Sequence, residues 1–141
     1  MHAYALPHWL WIATVMAVCA GAAVWGRRDE RIAAAALFVG WLLTVAVYSH
    51  RGLQTEWGIL AVDAAVMAVL TWVALTTRRY WPIFAASFQL LAVIIHLARV
   101  VDPSLGGWAY ITAEIIFGYW LAGAIGVGVL NRWRERRMFA A

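Results

Sequence analysis

The chain has 141 residues, of which 65% are hydrophobic and 13% are charged, and its formal net charge is +4. Soluble globular domains contain about 45–50% apolar and about 25% charged residues, so one small aqueous core cannot hold all of these apolar side chains. The composition therefore excludes a soluble globular protein and predicts an all-α integral membrane bundle, residues 1–141 as a single domain.

The counts of particular residue types exclude several functions. All 11 residues counted as lysine or arginine are arginines. Because retinal and pyridoxal phosphate both bind through a lysine Schiff base, both cofactors are excluded. The single cysteine, Cys19, can form neither an intrachain disulfide nor a cysteine-based metal motif. Arginines beside apolar segments are typical of lipid headgroup contacts, and we therefore predict no nucleic-acid partner.

Five segments are apolar and long enough to cross a bilayer, which takes about 20 residues per helix. Pro82 stands in the first turn of the fourth segment, where its missing N–H costs little. Asp102 and Pro103, followed by Gly106 and Gly107, end that segment and turn the chain. In chain order the predicted spans are residues 6–25, 32–50, 57–76, 81–101 and 108–130.

The arginines alternate between the two ends of these spans. Nine stand in the first linker, the third linker and the C-terminal tail, whereas the second linker holds only Arg51. The positive-inside rule then predicts that the N-terminus is outside and the C-terminus is cytoplasmic. We predict a bacterial inner membrane, for which the all-arginine composition, typical of GC-rich genomes, is a supporting sign.

Three ionisable residues are expected at one depth in the outer half of the bilayer. Asp63 and Glu114 lie six residues into the third and fifth spans, and His96 lies six residues before Asp102 at the end of the fourth. At 1.5 Å per residue each is about 9–10 Å from its helix end. Short linkers make these spans antiparallel neighbours, so their side chains are expected to meet. The inner half is expected to hold almost no ionisable residue.

Helical spacing extends this polar layer. Gln89, His96 and Arg99 lie on one stripe of the fourth span, and Tyr110 is adjacent to Glu114 on the fifth. For Gln89 we favour an interhelical hydrogen bond. Trp41 and Trp120 stand near the middle of their spans and are expected to pack within the bundle. The predicted ligand- or ion-binding residues are Asp63, His96, Arg99, Glu114, His50 and Gln89.

Several interpretations of this layer stay open. It is a structural cluster if Arg99 neutralises one acid and His96 hydrogen-bonds the other. It is a proton or ion site, or a metal site on His96, Asp63 and Glu114 completed by His50 or His8, because histidine and carboxylates suit zinc or non-haem iron. It is a lipid-headgroup or quinone site if Arg99, His96 and tryptophans form its walls. A haem is not favoured, because His50 and His96 differ in depth.

Two classes of function follow. The first is a small transport, channel or ligand- and ion-binding protein that forms a homo-oligomer, since five short spans rarely enclose an aqueous path alone and the small residues Gly118, Ala122 and Gly126 allow close helix contact. The alternative is a non-catalytic accessory subunit of a larger redox or energy-coupling membrane complex. An enzyme is not favoured, because no serine–histidine pair or histidine box is evident.

Overall fold

The computed structural model describes residues 8–47, 57–102, 104 and 106–139, and these residues form five α-helices. Each helix is long and apolar enough to cross a membrane, yet only 17% to 39% of each candidate span is buried. Large apolar side chains therefore face outward, which indicates an integral membrane protein. The helices are α1 (His8–Trp25), α2 (Arg28–Val47), α3 (Trp57–Thr76), α4 (Trp81–Val101) and α5 (Gly107–Met138).

The prediction of five helices, each long and apolar enough to span, is confirmed, with two boundaries that differ by more than one residue, while the predicted start of the first span, at residue 6, lies outside the described residues. The second helix begins at Arg28 rather than 32, because the Glu30 carboxylate accepts the backbone N–H of Arg27 at 2.8 Å and so caps the first turn. The fifth helix continues to Met138 rather than 130, and an Arg132–Glu135 ion pair of 2.7 Å supports this extension. The predicted end of the second span, at residue 50, lies outside the described residues.

The helices pack in chain order, and α1 returns to contact α5. The fifth helix also contacts α2, so α2 and α5 each pack against three other helices. Apolar side chains from four helices, Val15, Leu37, Leu70 and Ile125, are buried at 5% exposure or less in this shared core. This closed arrangement holds α3, α4 and α5 as consecutive neighbours, which is what brings their polar residues together.

Two short turns are stabilised locally. Arg31 donates to the carbonyls of Ala22 and Ala23, at 3.4 and 2.9 Å, and so caps the last turn of α1. After α4, Ser104 donates its hydroxyl and its backbone N–H to Oδ1 of Asp102, and these hydrogen bonds lower the pKa of the exposed Asp102 carboxyl. The Arg31 bonds satisfy backbone carbonyls at the end of α1, and the Ser104 bonds hold the turn that follows α4.

The contact between α4 and α5 depends on the absence of a side chain at Gly128. A Cβ placed there would lie 2.6 Å from the ring of Trp81, which is only 5% exposed. We expect Gly128→Ala to lower the free energy of unfolding by about 1–3 kcal/mol, because the buried indole must move. Gly123→Ala on the same helix is the matched control, since nothing lies within 4 Å of its Cβ position. A denaturation titration in detergent measures both, and equal effects would contradict this explanation.

Candidate functional site

Asp63, His96 and Glu114 converge from α3, α4 and α5. Nε2 of His96 lies 2.9 Å from Oδ2 of Asp63 and 3.6 Å from Oε2 of Glu114. One ligand-type atom from each residue lies within 4.8 Å of the other two. His96 is 1% exposed, whereas the side chains of Asp63 and Glu114 are 18% and 25% exposed. We call these three residues the acid–histidine cluster.

Two further side chains orient the cluster. The amide nitrogen of Gln89 donates to Oδ1 of Asp63 at 3.0 Å, which leaves Oδ2 facing the imidazole. The hydroxyl of Tyr110 lies 2.8 Å from Nδ1 of His96, so the other ring nitrogen, Nε2, faces the carboxylates. Hydrogen bonds of this kind, behind the atoms that face a site, hold both ring and carboxylate in one orientation.

Arg99 is buried against the aromatic ring of Tyr110. Its guanidinium lies 4.8 Å from the ring centroid of Tyr110, and the residue is 6% exposed. Among the described residues, the group within ion-pairing distance of both cluster carboxylates is the imidazole of His96. Arg99 thus contacts the tyrosine whose hydroxyl lies beside His96.

A cavity of about 200 Å³ adjoins the cluster in the middle of the bundle. Residues of all five helices line it, and Asp63, Gln89 and Glu114 are among its polar lining. A second cavity of about 330 Å³ lies between α1 and α5. Glu114 and His8, at the start of α1, both line it. Glu114 therefore borders both cavities and connects the cluster with the end of the bundle at which α1 begins.

Five of the six residues predicted for the site are described, and they lie in one region. Asp63, His96 and Glu114 form the cluster, Gln89 bonds Asp63, and Arg99 lies behind Tyr110. The sixth, His50, lies outside the described residues. Tyr110 was not predicted as a site residue, although its position four residues before Glu114 on one helical face was the available signal.

A second group of charges was missed by the sequence analysis. Glu30 is fully buried and lies 3.7 Å from Arg79, which in turn lies 3.2 Å from Glu135. These residues join the start of α2, the α3–α4 turn and the extension of α5. The predicted spans left Glu30 in the first linker, whereas the structure places it in the first turn of α2 and buries it.

The geometry of the cluster suits both a hydrogen bond and a metal ion. Ligand atoms about 2.0–2.1 Å from a tetrahedral zinc ion are about 3.3 Å from one another. The observed separations of 2.9 and 3.6 Å lie on either side of that value. One imidazole and two carboxylates are a ligand set that zinc and non-haem iron accept.

Comparison with known proteins adds no assignment: no protein-family model matches the chain, and no curated protein or solved structure matches it at a significant level.

Proposed function

We propose that this protein is an integral membrane protein of the transport or ion-binding class, and that its acid–histidine cluster binds a divalent transition-metal ion. The observation that supports this most directly is the convergence of Asp63, His96 and Glu114 from three helices onto one point. Gln89 holds the Asp63 carboxylate and Tyr110 holds the His96 ring, as hydrogen-bond partners of metal ligands commonly do.

The charge balance of the cluster favours a cation. Two carboxylates face a single imidazole, which can carry at most one positive charge. A charged side chain at the centre of a membrane helix costs about 2.5–3.5 kcal/mol on insertion scales. A divalent cation held by a neutral imidazole and two carboxylates leaves the three ligands and the ion with no net charge, and protons can take its place on the same atoms when it leaves.

The size of the central cavity favours an ion over an organic ligand. Pockets for small organic molecules measure about 300–1,000 Å³. The cavity beside the cluster is about 200 Å³, which is room for an ion and a few water molecules at about 30 Å³ each. The second cavity, of about 330 Å³, also reaches Glu114 and falls within the range for organic ligands, so the preference for an ion applies to the central cavity alone.

The direction of access follows from the arginines. We propose a bacterial inner membrane with the N-terminus outside, because nine arginines lie at the opposite end of the bundle. The ion then reaches the cluster from outside, past His8 and Glu114. We further propose a homo-oligomer, since one bundle of five helices provides little room for a continuous path.

Metal content tests the proposal. Elemental analysis of protein purified without chelator should find about one zinc or iron per chain, and zinc should bind the metal-free protein. Tyr110→Phe should weaken zinc binding about 10–100-fold, because it removes the hydroxyl that holds His96. The control is Tyr119→Phe on the same helix, whose buried hydroxyl has no hydrogen-bond partner among the described residues. Absence of metal, with no zinc binding on titration, would overturn the proposal.

Reconstitution separates transport from binding and from the accessory-subunit alternative. Zinc uptake into vesicles that contain the protein alone supports transport. Zinc binding without uptake supports a binding protein. Purification with foreign membrane subunits, with no metal retained, supports the accessory role, in which the cluster is structural.

A further inference from the structure

A groove runs between α4 and α5 toward the end of the bundle that carries the nine arginines. Its volume is about 1070 Å³, and its floor and walls are mostly apolar. Phe88 and Trp120 stack at its deep end with ring centroids 5.7 Å apart. Trp120 is 60% exposed, so the expectation that it packs within the bundle is wrong. The indole instead forms part of the groove, which is separate from the acid–histidine cluster.

The other end of the groove is basic. Arg78 and Arg134 line it, both are exposed, and neither forms an ion pair with a described residue. Asn131 of α5 adds an exposed amide to the lining of the groove. Glu135 also lines this end, but its carboxylate is engaged by Arg79 at 3.2 Å and Arg132 at 2.7 Å. Two uncompensated guanidinium groups therefore stand at the mouth of an apolar groove.

The length of the apolar part corresponds to one leaflet. From Trp120 to Asn131 the helix advances eleven residues, which at 1.5 Å per residue is about 16 Å. Half of a hydrocarbon core about 30 Å thick is about 15 Å. A phospholipid whose headgroup lies at the arginines would thus place an acyl chain along the groove as far as Trp120. A partner helix would instead cross both leaflets and would leave the two guanidinium groups without counter-charge.

From these features we infer that the groove binds an anionic phospholipid, with one acyl chain along Phe84, Phe88 and Trp120 and the phosphate between Arg78 and Arg134. Basic pockets between membrane helices are suited to lipid headgroups of this kind. Gly123 leaves the middle of the groove open, since nothing lies within 4 Å of its Cβ position. This inference does not depend on the proposed metal site.

Binding of phosphatidylglycerol to the full chain in a neutral detergent, measured by native mass spectrometry, tests the inference. We expect phosphatidylglycerol to bind more tightly than phosphatidylcholine. The double variant Arg78→Ala/Arg134→Ala should weaken phosphatidylglycerol binding about 25-fold, which is about five-fold for each basic residue at about 1 kcal/mol. Gly123→Phe should weaken both lipids about ten-fold by filling the groove.

Two matched controls separate the groove from general charge and bulk. Arg136→Ala/Arg137→Ala removes the same charge from the same end of the bundle, but neither residue lines the groove. Ala20→Phe adds the same ring to an exposed position of α1. Equal losses in variants and controls, or equal affinity for the two lipids, would overturn the inference. Dissociation of a dimer by Gly123→Phe, with lipid binding unchanged, would show that a second copy covers the groove.

Discussion

Replacing Asp63 by asparagine and Glu114 by glutamine together should reduce zinc affinity by more than about 100-fold. Losing a residue that only hydrogen-bonds a metal ligand lowers metal affinity by about 10–100-fold, and losing two ligands should lower it further. Both amides keep the size and hydrogen-bonding capacity of the acids. The bundle should therefore still assemble, with a thermal unfolding temperature that is unchanged or raised, since two carboxylates no longer face one imidazole. Zinc titration of metal-free protein in detergent gives the affinity, and circular dichroism gives the unfolding temperature.

Asp29→Asn is the matched control for this double variant. It removes an acid from the first turn of α2, away from the cluster, and should leave zinc affinity unchanged. A cluster that serves structure alone has the opposite signature: the double variant would lose stability while zinc binding, if any, stayed the same. That pair of results would contradict the proposed function and would favour the accessory-subunit alternative.

Replacing Glu30 by alanine should lower the free energy of unfolding by about 1–2 kcal/mol, the cost of losing a helix cap together with one partly exposed ion pair. The side chain is fully buried, accepts the Arg27 backbone N–H at 2.8 Å and lies 3.7 Å from Arg79. Without it, Arg79 loses a partner and the first turn of α2 loses its cap. Glu30→Gln should cost less, because the amide oxygen still accepts the Arg27 N–H.

A double-mutant cycle with Arg79→Ala isolates the ion pair from the cap. The coupling energy between Glu30 and Arg79 should exceed about 0.5 kcal/mol, as for residues in one salt-bridge network. Asp29→Ala, in the same helical turn, is the control and should cost under about 1 kcal/mol. Unfolding by a denaturing detergent supplies the energies. Additive effects of Glu30→Ala and Arg79→Ala would show that the two charges do not interact.

The depth of the polar residues along their helices can be predicted from the sequence, whereas their partners cannot. Depth follows from counting residues along a helix, and this was enough to expect Asp63, His96 and Glu114 in one layer. Partners depend on how each helix is rotated about its axis. The rotation that places His96 between the two acids also places Arg99 against Tyr110, 4.8 Å from its ring. Spacing along one helix cannot distinguish these pairings.

Rotation is hard to predict here because most helices are apolar on every side. A helix in water buries its apolar stripe, so its pattern indicates its orientation. In lipid both faces are apolar, and orientation is decided by close packing and small residues. Gly128 against Trp81 is one such contact. It helps to explain why Trp120, on the same helix, faces outward into the groove rather than into the bundle.

By itself the sequence determined the number of helices and most of their boundaries, because apolar length and flanking charges are properties of continuous segments. Only the tertiary structure decided which side chains touch: the imidazole between two carboxylates, the burial of Glu30 beside Arg79, and the groove of Phe88 and Trp120. Each of these contacts joins different helices or turns, and its geometry depends on helix rotation and packing that hydrophobic content does not specify.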